Sequence, residues 1–405
     1  MASLFGVALV ALAGCLFAAQ LGCSTESGAS GSATPTETVS ATVPAIRVRA
    51  PVRPAAYRPP RHGIRVRSSS QLAAALENHR PSTIIVAPGV YDSPRPFSNA
   101  YGHRVYAARP GRAVLRAGMV LGGHEGPAGA LVQGLRFEIT DPTKTLHGDV
   151  IHVWGSARKA RVLDTSLHGH WTVSAGLVVR QPEGFVARRV VASRFRSFGV
   201  VVDPNDRAYR AGVPYLIEDL HVSGVARRVP GSSDGTAEAC LWLGSQGHVR
   251  RVSVDRCSLT GIWTGSAFTN SLIEHARIDR TRVGVYVEHF TTASKLRKLH
   301  VGPNVSRGIN AEWADPAWDR KPASVDNLIQ DSHFDTTVVG VYLDEGTTRT
   351  IVRHSKFVNQ VWAGIGNYRG VGNRYYANDF RGLRPGAVPV SLDHAREARE
   401  VTAGR

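Results

Sequence analysis

Three carboxylates recur at one position of a repeating pattern. Glu288, Glu312 and Asp344 close the segments VYVE, INAE and VYLD, which follow Gly284, Gly308 and Gly340. Acids repeated in this way suit three kinds of chemistry: binding of a hard cation such as Ca²⁺, sharing of a proton between like charges, or an acid and base pair working on a sugar. If the segments stack as parallel strands, equivalent residues stand ~5 Å apart, and like charges so placed are destabilising without such a role. The ordinary alternative is that each acid pairs with a loop arginine and only solubilises the surface. The second residue of each segment adds a second chemistry. Trp242 and Trp263 hold that place in LWLG and IWTG, and Tyr286 and Tyr342 hold it in VYVE and VYLD. Sugar rings stack on such aromatics, so these four are the candidate substrate-binding residues.

The candidate catalytic set is therefore Glu288, Glu312 and Asp344, joined by Asp203 and His289 at strand ends. The three columned acids are also the candidate Ca²⁺ ligands, and no zinc spacing occurs. Arg180 and Lys321 are the basic candidates to neutralise a uronate or remove its proton, although an arginine on such a face is more often structural.

A repeating strand must position these residues. In each segment the first and third residues are mostly apolar and the second and fourth are not, which is strand alternation. Successive glycines from Gly261 to Gly340 are 23, 24 and 32 residues apart, and Gly364 follows 24 after Gly340, the length of one solenoid coil. Glycine suits the bend that opens each strand. The parity extends back through VVVD after Gly199, LVVR after Gly176 and IHVW after Val150. One outward column then reads His152, Val178, Val201, Trp242, Trp263, Tyr286, Asn310, Tyr342. Its neighbour reads Trp154, Arg180, Asp203, Gly244, Gly265, Glu288, Glu312, Asp344, with the two glycines leaving an open shelf beside the indoles. Second strands such as RVLDTSL and TIVRHSKF supply a core set of Leu163, Val191, Leu220, Val254, Ile278 and Phe357. Two longer coils, residues 203–238 and 312–331, place loops beside the columned acids.

Residues 64–91 read as strand, short helix and strand, the helix (QLAAALENH) closing the open end of the first coil. AAALENHRPSTIIVAPGVYD, followed by HRVYAARPGRAVLRAG, resembles the opening of right-handed parallel β-helix proteins of the pectate-lyase-like superfamily. The resemblance implies an all-β, three-sheet, right-handed parallel β-helix with an N-terminal capping helix. It also implies a cleft on one sheet face and activity on a polysaccharide, as a lyase or a glycoside hydrolase. Fold likeness does not establish activity, so a non-catalytic glycan-binding or structural envelope protein is the alternative. Asp203 and Pro204 resemble the aspartate and proline of a mannuronan epimerase motif, but Asn205 stands where that family has histidine, and an amide accepts no proton there. The polygalacturonase signature is absent, HGH at 168–170 being of a different order, and Thr165 replaces the histidine of the pectate lyase strand signature.

Composition bounds the partners. Forty-nine Lys and Arg against 32 Asp and Glu give +17, which favours a polyanionic partner such as an acidic polysaccharide. Basic residues are scattered without a docking motif, which argues against nucleic acid. LFGVALVALAGCLFAAQLGCS reads as an export signal, too short and wrongly flanked to span a membrane stably. It resembles a bacterial lipoprotein signal, with Cys23 the favoured lipidated residue and Cys15 the alternative. The expected organisation is a signal over 1–23, a Ser/Thr/Pro/Arg-rich tether over 24–62 and the β-helix over 63–405, lipid-anchored outside the cytoplasmic membrane and monomeric. Cys257 falls at an inward position shared with Phe195, and Cys240 opens a strand, so a buried free thiol is expected at Cys257 rather than a disulfide.

Overall fold

A strand of a few residues with one apolar face cannot bury that face alone, and this chain solves the problem by stacking short strands coil upon coil. The computed structural model describes residues 57–122, 129–154, 157–180, 182–202, 214–225, 239–244, 246–265, 268–288, 291–311 and 324–392. They form a right-handed parallel β-helix of three large parallel sheets, A, B and C, with thirteen, twelve and twelve strands among the described residues, and a small fourth sheet of three two-residue strands. Each coil gives one strand to each sheet in turn, as Leu272–Glu274, Arg277–Asp279 and Thr281–Val287 do. The interior is a set of stacked columns. In sheet C, Leu241, Ile262, Val285, Ile309 and Val341 lie in direct register, all fully buried. In sheet B the rings of Phe334, Phe357 and Phe380 stack at 5.2 and 5.0 Å. Each such aliphatic side chain contributes about 1.5–3 kcal/mol of burial. Of the expected core set, Leu163 and Val191 turn outward, because they sit at the end and the start of their strands with parity opposite to the buried Val162 and Ala192.

The glycines that open the sheet C strands have a different function from the one their position suggests. Gly199, Gly261, Gly284, Gly308, Gly340 and Gly364 do not adopt the left-handed region. A side chain there has no room: a Cβ on Gly284 would lie 2.5 Å from the Gly308 carbonyl oxygen and 3.1 Å from Val301, and one on Gly261 would meet Gly284 and Ile278 at 2.7 and 2.8 Å. Close approach of coils, not a bend, requires them.

Cys240 is the exception in that column, and it corrects the reading of the cysteines. Its Cβ points inward at the corner where Phe195, Val225 and Cys257 follow one another in register, and Cys240 and Cys257 are joined by a disulfide with Cα atoms 5.8 Å apart. Both are buried. Parity treated the two separately, whereas inward residues from adjacent sheets meet at a corner. A loop of this size contributes about 3 kcal/mol in the chain-entropy account.

The capping helix runs Ser69–Leu76, with Ser68 Oγ accepting from the Gln71 backbone N–H and Leu72, Ala75 and Leu76 facing the first coil. Its last turn is tied down by buried His103, whose Nδ1 accepts from the Ser82 N–H and whose Nε2 donates to the Leu76 carbonyl at 3.1 Å. Tyr57, within the segment expected as tether, is tied to the first coils, its hydroxyl donating to the Ala107 carbonyl. Between sheets A and B the chain turns through one left-handed residue per coil, among them Asp164, Arg189, Asp219, Arg251, His275 and Lys298, with φ of 50° to 54°. The last described strand of sheet C is Val388–Ser391; the signal, most of the tether and most of both long insertions lie outside the described residues.

Candidate functional site

Hydrogen-bond register carries the sequence columns into the structure. His152, Val178, Val201, Trp242, Trp263, Tyr286, Asn310 and Tyr342 are successive partners on the outer face of sheet C. The backbone N–H groups of Gly244, Gly265, Glu288 and Asp344 extend the same ladder one residue further. Asp203, Glu312, His289 and Lys321 belong to segments outside the described residues, as do Cys15 and Cys23.

The rings of this face are arranged against each other. Trp242 and Trp263 stack at 5.3 Å and 21°, Phe198 covers the other side of Trp242 at 5.6 Å, and Tyr286 meets Trp263 edge-on at 5.7 Å. Strand spacing of ~4.8 Å makes this unavoidable for successive aromatics. The indoles therefore present their edges, not their faces, to a ligand. Tyr342 is corrected more strongly: its ring is 2% exposed, packed against Trp362 at 5.9 Å with the Arg307 guanidinium 5.2 Å above it. It cannot stack on a sugar in this arrangement.

The shelf expected at Gly265 is filled by Glu288. A Cβ on Gly265 would collide with the Glu288 carboxylate and come within 3.2 Å of Trp263 Nε1. Glu288 folds back over that glycine, and its Oε2 accepts from Trp263 Nε1 at 2.9 Å. Burial raises its pKa from the ordinary 4.5 to about 7, opposed only in part by the indole hydrogen bond. Burial comes first among the causes of this rise, and Glu312, the next acid of the expected column, lies outside the described residues. Asp344 lies two coils away, roughly 9–10 Å by strand spacing, and its Oδ1 accepts from the Glu345 N–H at 2.7 Å.

Arg180 stands four coils from Glu288, roughly 19 Å, too far to act on the same sugar. A cation of this face that the columns did not include is Arg307, in the coil after that of Glu288, donating to Asn310 Oδ1 at 3.0 Å. At the other end of the face, Asp149 Oδ2 and His152 Nδ1 form a buried pair at 2.8 Å beneath Trp154 and His147. Burial raises the Asp149 pKa, with the His152 contact pulling against it. Among the described residues, the His, Cys, Asp and Glu side chains close enough to hold a metal ion are Glu138, His168 and His170 on sheet B, and not Glu288 with Asp344.

No protein-family model matches the sequence, and no curated protein does. Solved structures do. The chain is similar to the PL6 family alginate lyase AlyGC at 15% identity, over 81% of this chain and 51% of that one, with a TM-score of 0.50. A mannuronic acid specific family 6 polysaccharide lyase from human gut microbiota matches at 12% identity over 82% and 84%, TM-score 0.52. The catalytic domain of a GH87 alpha-1,3-glucanase matches at 11% over 84% and 69%, TM-score 0.50. The chain thus spans about half the length of AlyGC. Identities this low show the fold alone: a parallel β-helix of the kind that polysaccharide-cleaving enzymes use.

Proposed function

We propose that this chain is an exported enzyme that cleaves an acidic polysaccharide held along the outer face of sheet C, with Glu288 as its proton-transfer group. One observation carries the reading: a carboxyl with a pKa of about 7 on a glycan-sized face is half protonated at neutral pH, which suits a general acid or base. Arg307 in the next coil is the candidate partner for a uronate carboxylate, and the net charge of +17 favours a polyanion. The lyases and the glucanase that share the fold support a sugar substrate. The stacked ladder from Phe198 to Tyr286 favours the second reading, a non-catalytic glycan binder or envelope component, because rings that cover one another serve stiffness as well as recognition.

A panel of acidic and neutral polymers separates the readings. A lyase creates unsaturated ends that absorb in the ultraviolet, a hydrolase creates reducing ends without that absorbance, and a binder only retards the polymer on a gel. Glu288→Gln should lower cleavage at least a hundredfold while the protein stays folded. Unchanged cleavage in that variant rules out Glu288 as the proton-transfer group.

Export and anchoring belong to the same proposal. The Cys240–Cys257 disulfide supports an oxidising compartment. Cys23→Ser should release the protein from membranes; release by Cys15→Ser instead would assign the anchor to the other box.

A further inference from the structure

We propose that Glu138, His168 and His170 form a binding site for a divalent transition metal of the zinc type, on the opposite side of the corner from the sheet C face. Register explains how they meet. Glu138 and His168 are direct partners in adjacent coils of sheet B, and His170 lies two residues on, where the chain turns toward sheet C with φ of 51°. One ligating atom from each lies within 4.8 Å of the other two.

Donor chemistry favours an ion. His168 Nδ1 is 2.8 Å from Ser193 Oγ, the next residue in the same column; as an N–H donor there it leaves Nε2 with a lone pair for a metal. His170 Nε2 sits 2.6 Å from Glu138 Oε2. That hydrogen bond holds a nitrogen and an oxygen on either side of one proton, and a metal binds by taking the proton's place. Zinc bonds of about 2.0–2.1 Å put tetrahedral ligands about 3.3 Å apart, so the pair must open and His168 close by under 2 Å. Two imidazoles and a carboxylate suit zinc, cobalt or nickel and do not suit calcium. Arg136 opposes the ion: its Nε donates to Glu138 Oε1 at 2.6 Å, which leaves Oε2 as the ligand and weakens the site, as does the positive charge of Arg194 near His168. Bound, the ion would tie the coil of Glu138 to the coil of His168. The proposal does not depend on the glycan reading.

The whole chain, stripped with EDTA and titrated calorimetrically with ZnCl₂, should take up one ion, and Co²⁺ should give visible ligand-field bands. His168→Ala and His170→Ala should each weaken binding at least tenfold, Ser193→Ala less, and His354→Ala, at an exposed corner of the opposite end, not at all. Calcium should not compete. If an alanine variant loses its circular dichroism, Glu138→Gln and His170→Gln decide, since each keeps the side-chain volume and alters the ligand. The proposal is overturned if the wild type binds no stoichiometric zinc, or if His168→Ala and His170→Ala bind it equally well.

Discussion

Two regions of the same coils treat their carboxylates in opposite ways. At the corner between sheets A and B, acids and arginines alternate from coil to coil: Arg189 grips Asp164 at 2.5 and 2.9 Å, Arg251 reaches Asp219 at 2.7 Å, and Arg297 holds Glu274 at 2.7 and 2.9 Å. Glu218 is 4% exposed and meets Arg188, Arg250 and Arg251. Burial alone would push Glu218 up, but the Arg251 hydrogen bond and the three positive charges outweigh it and hold the carboxyl below its usual range. On the sheet C face burial acts on Glu288 against an indole N–H, and the carboxyl rises to about 7. Depth does not decide the outcome. The partners differ: arginines hold the corner acids, and an indole N–H meets Glu288.

Substitutions at the two places should differ in sign. The folded pKa of Glu288 lies above its unfolded value, so the protonated carboxyl contributes stability that is complete below about pH 4.5 and is lost as the pH rises through about 7. Glu288→Gln keeps an acceptor for Trp263 and carries no charge. It should be more stable than wild type by about 2–3 kcal/mol at pH 8 and nearly equal at pH 4, by chemical denaturation. Glu218 has its folded pKa depressed, so its contribution is present above the unfolded value and lost as the pH falls through the folded one. Glu218→Gln should therefore be less stable by about 2 kcal/mol at pH 8, discounted for the partial exposure of its arginines, with the deficit shrinking under acid. Equal signs at pH 8 would erase the contrast.

Smaller changes sharpen it. Gly265→Ala puts a methyl where the Glu288 carboxylate lies, and should move that group into water, cost about 1 kcal/mol at pH 4 and return its pKa toward the ordinary carboxyl value in an NMR titration. A pKa that stays near 7 would mean the carboxyl is buried by something other than its fold over Gly265. Trp263→Phe keeps the ring stack and removes the N–H. The Glu288 pKa should climb further by less than a unit, because the indole hydrogen bond lowers it.

The fold was legible because strand parity has period two: once the glycine spacing set the coil, His152 to Tyr342 fell into one column and the hydrogen-bond register agrees position by position. Parity gives direction and says nothing about cover. It placed Tyr342 outward but could not show Trp362 over it, and it left Gly265 open when a side chain one coil later fills the space. Contacts across corners were equally hidden, since Cys240 and Cys257 lie on different sheets and His170 reaches Glu138 only after a left-handed turn. The sequence hint for that last group was HGH beside a sheet whose preceding coil ends in Glu138.

The glycine column has a consequence for how such a molecule changes length. Because each of Gly261, Gly284, Gly308 and Gly340 rests against the carbonyl of the next glycine in the series, every junction between coils along this stretch is chemically the same. Removing or duplicating one whole coil, such as residues 284–307, sets one glycine against another and restores the junction, whereas a single inserted residue inside a strand reverses every side chain beyond it. The solenoid can therefore lengthen or shorten in evolution only in whole turns, and any other insertion must leave the stack as a loop.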